Sequence, residues 1–274
     1  MLYSRPILSP RPRRGARRSP GAAQRGSFVL AGKAMGRQRN ASDDRFIIIY
    51  RMLLDSYGPQ RWWPVTPPGE TKPRYVGGPR SAGQRFEVAV GAILTQNTAW
   101  INAERAIEEL NRRGLMTPAA LRCVSEEALA RAIRSAGYYN QKAKRLKILA
   151  AFYRRGNGIT RESLLALNGI GPETADSIML YARGVPYFVV DAYTRRVFGN
   201  LGLIRSEAPY DEIRLAFERN LPRRAGVFNE YHALIVEHGK KTCKKRPICE
   251  ECLLKWLCRL YLRESIGRAY KKRS

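Results

Sequence analysis

Apolar and polar positions alternate with a helical period along almost the whole chain. RFIIIYRMLLDSYGP keeps its apolar residues on one face and stops at Gly58-Pro59, a usual helix end. RFEVAVGAILTQ is apolar enough to be a central, buried helix. AWINAERAIEELNRRG is amphipathic, with Gly114 past its end. Thr117-Pro118 then supplies an N-cap followed by a first-turn proline. Ser125 with Glu126 and Glu127 opens another helix, which Gly137 closes. NQKAKRLKILAAFYRRG, RESLLAL, PETADSIMLYARG, DAYTRRVFGNLG, PYDEIRLAFERNL and AGVFNEYHALIVEHG bring the total to about ten predicted helices. Only YFVV, residues 187–190, looks strand-like, and it has no evident partner. The Pro- and Gly-rich stretch 64–83 is the one long connector, of a length at which loops are often functional. The pattern predicts an all-α protein with short loops.

One segment departs from plain helix-and-loop reading. LLALNGIGPETADSI is a helix, an x-Gly-Ile-Gly hairpin and a second helix with Pro172 in its first turn. Gly169 and Gly171 permit close backbone approach, and a helix N-terminus presents unpaired N–H groups. Gly169, Ile170, Gly171 and Thr174 are therefore candidates for gripping a phosphate backbone without regard to sequence; the plainer reading is a helix connection with a glycine cap. Downstream, an apolar run delivers a lone acid, Asp191, at the start of AYTRRVFG. On residue type alone Asp191 is an N-cap.

Charge sharpens this picture. The 274 residues carry a formal net charge of +27. Residues 1–40 contain ten Lys/Arg and no Asp/Glu, which leaves +17 on the remainder. So large an excess on a foldable sequence points to a polyanion, with nucleic acid foremost. Lys142, Lys144, Arg145 and Lys147 form one basic run, either a solvated face or, with Lys142 foremost, a contributor to DNA binding. No apolar run of about 18 residues is present to span a membrane. The N-terminus lacks a signal-peptide core, so a cytoplasmic, nucleoid-associated monomer is expected. That arginine-rich extension, expected to be disordered, reads equally as a transit peptide, a DNA-grazing tail, or sequence upstream of a start at Met35.

Four of the five cysteines fall within sixteen residues, as Cys243-x5-Cys249-x2-Cys252-x5-Cys258. Soft thiolates select zinc or an iron–sulfur cluster. A structural zinc site usually pairs two short CxxC knuckles across a long gap. Here only the middle pair is CxxC, which favours a [4Fe–4S] cluster. The first arm, KKRPI, is basic and would project Lys244 and Lys245 toward phosphate. Cys123 reads as a buried small apolar residue.

LNGIGPETADSI…VPYFVVDAYTRRV resembles the helix-hairpin-helix and following aspartate of the endonuclease III superfamily of DNA glycosylases, and the resemblance runs from about Phe46 to Cys258. RWWP, RFEVAVGAILTQNTAW and GYYNQKAKRLK are most similar to its alkylpurine-removing branch, 3-methyladenine DNA glycosylase III. The resemblance implies a two-lobe fold: a six-helix barrel over 85–200, and a second lobe from 41–84 with 201–274 carrying the cluster. It implies double-stranded DNA with a damaged base as partner, and base excision as activity. The family's cluster has nearly this cysteine pattern, with one more residue in the first arm.

Bifunctional members place a lysine two residues after the second hairpin glycine, where this chain has Glu173; a carboxylate cannot form an imine. The resemblance thus implies a monofunctional enzyme with Asp191 stabilising oxocarbenium character at C1′. Glu173 reads as a solvated first-turn acid favoured by the helix dipole. A flipped alkylated purine needs an aromatic pocket, for which Trp62, Trp63, Phe86 and Trp100 are candidates. Gln96 and Asn97 resemble the wedge that fills the vacated stack.

Overall fold

Helix α1 (Ala41–Tyr57) stops where the sequence pattern ends it: Gly58 adopts φ +67° and its N–H donates to Leu54 O at 2.8 Å. The computed structural model describes residues 41–154 and 158–271, so the expected disorder of residues 1–40 lies outside the described residues. Helix α2 (Ala82–Leu94) begins at a capping box between Ser81 and Gln84, and Phe86 to Leu94 are buried without a break. Apart from Glu87 the run is apolar or glycine, and burial stabilises by about 1.5–3 kcal/mol per large apolar side chain, which makes α2 the central helix.

Around it lie α3 (Trp100–Arg112), α4 (Pro118–Cys123), α5 (Glu126–Ala132) and α6 (Tyr139–Arg154). Thr117 and Ser125 cap α4 and α5 by accepting from Ala120 N and Ala128 N. Helix α7 (Arg161–Leu165) leads through the hairpin to α8 (Pro172–Ser177), which continues as a π turn over Ile178–Ala182. Helix α9 (Ala192–Leu201), α10 (Tyr210–Asn220), α11 (Ala225–Lys241) and α12 (Arg259–Lys271) follow. Helix α1 packs on α10 and α11, and α9 packs on α11 and α12, while α2 and the π turn join these helices to the α3–α6 group. The described residues form one compact unit.

Among the described residues there is no strand, only an isolated bridge between Val65 and Arg74. The YFVV run is extended but finds no neighbouring strand. Its backbone is paired by side chains instead: Phe188 N donates to Glu218 Oε1 at 3.0 Å and Val190 N to the Tyr210 hydroxyl at 3.3 Å. Phe188 stacks on Phe217 with ring centroids 4.0 Å apart. An extended segment so anchored can carry a functional residue at its end without being part of a sheet.

The long connector is fastened rather than loose. Thr66 donates from its backbone and hydroxyl to Glu87 Oε1, at 2.7 and 2.9 Å, and Gln84 Nε2 donates to Thr66 O at 3.0 Å. Burial raises the Glu87 carboxyl above its ordinary value, offset in part by the Thr66 and Asn111 hydrogen bonds. No described helix is long and apolar enough to cross a membrane.

Candidate active site

The hairpin is built against α6. Gly169 adopts φ +83°, and a Cβ there would collide with the side chain of Arg145, so glycine is required by both conformation and space. Ile170 is buried, whereas Gly171 has open space around it. Gln96 completes the brace: its Nε2 donates to Gly169 O (3.0 Å) and Thr174 Oγ1 (2.9 Å), while its Oε1 accepts from Arg145. Gln96 is half-buried, and its amide ties α2 to the hairpin. Its neighbour Asn97 is exposed, takes φ +50° and lines the cleft.

Asp191 caps α9 through Oδ1, which accepts from Thr194 N at 2.7 Å. Its other oxygen, Oδ2, lies 3.5 Å from His232 Nε2 on α11. On the far side of the ring, the Tyr181 hydroxyl and His232 Nδ1 are 2.5 Å apart. A tyrosine O–H donated to Nδ1 leaves the ring proton on Nε2, facing Asp191. Burial alone would raise the Asp191 carboxyl, but His232 and the Thr194 bonds outweigh it and hold the group below its ordinary value. The cap and a cleft-facing role are thus compatible in one carboxylate.

Asp191 and Glu173 share a cleft of about 300 Å³ with Trp62, Trp63, Trp100, Tyr75, Asn97, Tyr193, His232 and Lys240. Glu173 is exposed in the first turn of α8, as the sequence reading has it, and it also lines the cleft beside Asp191. Burial, and then the Asp191 charge, push its carboxyl up to about 7, against smaller lowering effects of His232 and Arg195. Trp63 stands edge-on to Trp100 at 5.7 Å and Trp62 edge-on to His232 at 5.9 Å. Phe86 is corrected: it is buried in the core, edge-on to Tyr153 at 5.1 Å, and does not line the cleft.

Lys142 is also corrected. It is 1% exposed, and its ammonium donates to Leu94 O, Thr98 Oγ1 and Ala136 O, each at 2.8 Å. It cannot reach a phosphate. Lys147 likewise donates to carbonyls of Arg122 and Val124, and Arg145 serves the hairpin, so Lys144, exposed and 4.0 Å from Glu126, is the member of the basic run that faces solvent. Sequence reasoning missed His232 and Lys240, although their i, i+8 spacing through Val236 on α11 marks one face.

The four clustered cysteines converge beyond the opposite end of α9. Asn200 Nδ2 donates to Cys243 Sγ at 3.4 Å, and the Cys258 thiol donates to Asn200 O at 3.3 Å. His238 Nε2 lies 3.7 Å from Cys252 Sγ. Burial, then the charges of Cys243, Cys258 and Cys249, push the Cys252 thiol up to about 11, against a lowering hydrogen bond from the Leu254 backbone. Among the described residues no three His, Cys, Asp or Glu groups close on a point able to hold a single metal ion. Lys244 and Lys245 are exposed on the first arm. Cys123, expected to be buried, is exposed at the end of α4.

The model of the HhH-GPD superfamily of base excision DNA repair proteins matches residues 90–223. A Methanocaldococcus jannaschii protein assigned as a DNA repair glycosylase is 47% identical over 223 residues, which are 77% of this chain and 94% of that one. The chain belongs to the HhH-GPD superfamily. It is a DNA glycosylase of base excision repair within that superfamily. Endonuclease III of Sulfolobus acidocaldarius is 32% identical, covering 65% of this HhH-GPD chain and 82% of its own. Among solved structures, H. pylori 3-methyladenine DNA glycosylase bound to 1,N6-ethenoadenine is 28% identical with a TM-score of 0.57, covering 73% of this chain and 97% of that one.

Proposed function

We propose that this glycosylase hydrolyses the N-glycosidic bond of an alkylated purine in double-stranded DNA and leaves the strand intact. The observation that carries the reading is the pairing of two carboxyls, Glu173 and Asp191, in one aromatic-walled cleft, with Glu173 at the hairpin position where an imine-forming amine would be needed. Asp191, held charged by His232, stabilises positive charge developing on the deoxyribose and orients the attacking water. Trp62, Trp63 and Trp100 supply ring faces and edges for a base turned out of the stack. The likeness to the H. pylori enzyme supports a modified purine.

Asn97, at the cleft mouth, is the wedge under this reading, and the hairpin with Lys244 and Lys245 grips phosphate. The two lobes, 85–200 and 41–84 with 201–274, meet at the cleft, which draws Glu173 and Asp191 from the first and His232 from the second. Cys243, Cys249, Cys252 and Cys258 would hold a [4Fe–4S] cluster, which when bound cross-links the C-terminal loop.

A second reading rests on Lys240, whose amine lines the same cleft. If it attacked C1′, an imine and strand scission would follow. A panel of lesion-bearing duplexes separates the two, with base release and strand scission scored before and after alkali. Release with intact strands upholds hydrolysis; scission without alkali, lost in Lys240→Ala, establishes the second reading.

A further inference from the structure

The cleft holds two carboxyls, and the chemistry above employs one. Asp191 is fixed twice, by Thr194 and His232, and is held ionised. Glu173 has no such fixings toward the cleft. It enters from the first turn of α8, and the structure surrounds it with one anion, Asp191, and two weaker basic influences, His232 on α11 and Arg195 on α9; Lys240 stands further along α11. Two carboxyls lining one cleft resist ionising together, and the one without fixed partners is the one that keeps its proton. The charged phosphates of bound DNA act in the same direction.

A second feature is the position of Lys240. Its ammonium lies 5.8 Å from the centroid of Trp62, over the ring face. The cation–π position of that wall is therefore already filled by the protein. A base carrying a positive charge, brought against Trp62, meets a like charge rather than a bare π face. A neutral base meets a donor.

We infer that Glu173 is a catalytic acid that protonates the departing base, and that the cleft accordingly selects damaged bases that are neutral in the nucleoside over those that are cationic. This deepens the hydrolytic reading and rests on it. As the C1′–N bond breaks, its electron pair goes to the base, which is a poor leaving group as an anion; the Glu173 carboxyl supplies a proton and the base leaves neutral. Water forms the new C1′–O bond, and the proton it releases passes to Asp191 and then to solvent, from which Glu173 is recharged. A cationic base needs no such proton, because it leaves neutral unaided. The raised Glu173 carboxyl agrees with this arrangement, since an acid is most effective when it titrates near the working pH.

The test uses single-turnover release from duplexes bearing 1,N6-ethenoadenine, hypoxanthine or uracil as neutral bases, and 7-methylguanine as a cationic one. Wild type should release a neutral base faster than 7-methylguanine, with a rate that falls as pH rises through about 7. Glu173→Gln keeps size and hydrogen bonding but has no proton to give. It should lose about 100-fold or more on the neutral base, within the span of a positioned acid, and lose the pH limb, while changing 7-methylguanine release by less than about threefold. Lys240→Gln should narrow the gap between neutral and cationic bases.

Glu173→Asp guards against misfolding: it should keep partial release with the pH limb intact. Release of 7-methylguanine alone by wild type would overturn the selection while leaving hydrolysis standing. Unchanged neutral-base release by Glu173→Gln, equal losses on both classes, or a flat profile in Glu173→Asp would overturn the acid assignment. Release of no base, or scission without alkali, would instead overturn the hydrolytic reading beneath it.

Discussion

His232 and His238 stand six residues apart on α11, yet the first faces the Asp191 carboxylate at 3.5 Å and the second the Cys252 thiol at 3.7 Å. The same joining of site to cysteines occurs on α9, which begins at Asp191 and carries Asn200, bonded to both Cys243 and Cys258. Arg196 adds a third tie, donating to Cys243 O at 2.7 Å and Gly239 O at 3.0 Å. Two helices thus span the distance between the reacting carboxylate and the cysteine loop.

Asp191→Asn retains the cap, because asparagine and aspartate cap about equally well. It removes the charge that faces the sugar. Excision should fall by roughly two to four orders of magnitude, with lesion-DNA binding retained and the thermal midpoint nearly unchanged. Normal excision by this variant would remove Asp191 from the chemistry.

Borohydride added during turnover should trap no enzyme–DNA adduct, since Glu173 cannot form an imine. Gel analysis of the borohydride-treated mixture checks this directly.

The Glu173 carboxyl is raised from its ordinary value near 4.5 to about 7, and because the residue is exposed the resulting effect on stability is small but has a fixed sign. Between those values the folded protein binds more protons at this group than the unfolded chain, so its contribution to stability is present at low pH and is lost as pH rises. Glu173→Gln should therefore be more stable than wild type at pH 8 and nearly equal to it near pH 4. Thermal melts of both proteins across that range measure the difference.

Lys142→Met should cost about 2–3 kcal/mol, because three oxygen acceptors lose their donor in a buried place. The salt dependence of binding to undamaged DNA should not change, since no phosphate contact is lost. A shallower salt slope would restore Lys142 to the DNA surface.

Protein purified without oxygen should be brown and contain iron and sulfide in equal amounts, and Cys249→Ser should lower both. A colourless protein with zinc would replace the cluster by a mononuclear site. Given the α9 and α11 ties, loss of the cluster should also lower excision by protein already bound to lesion DNA.

Much of this was legible because it is local. Caps at Thr117, Ser125 and Asp191, the glycine stops and the hairpin depend on neighbours within a few residues. What escaped depends on distant partners. Lys142 is buried by carbonyls 48 and 6 residues away, which composition cannot reveal. Phe86 was counted as an aromatic without knowing which face of α2 it occupied. Glu173 is read from its own helix dipole, whereas the cleft around it, with Asp191 eighteen residues on, raises its carboxyl as well. Helix α12 was missed altogether, because RLYLRESIGRAYK has a weak apolar face and no cap signal.

The connector between α1 and α2 has a further consequence. Trp62, Trp63 and Tyr75 all reach the cleft from the segment between these helices, while Glu173, Asp191 and His232 come from elsewhere in the chain. That segment is pinned at a few points: Asn229 to Trp62 O at one end, and Glu87, Gln84 and Asn111 around Thr66. Part of the surface that reads the base and the groups that cut it are therefore written in separate passages of the sequence. A transplanted segment that kept those pins would change which base is read without rewriting how it is cut.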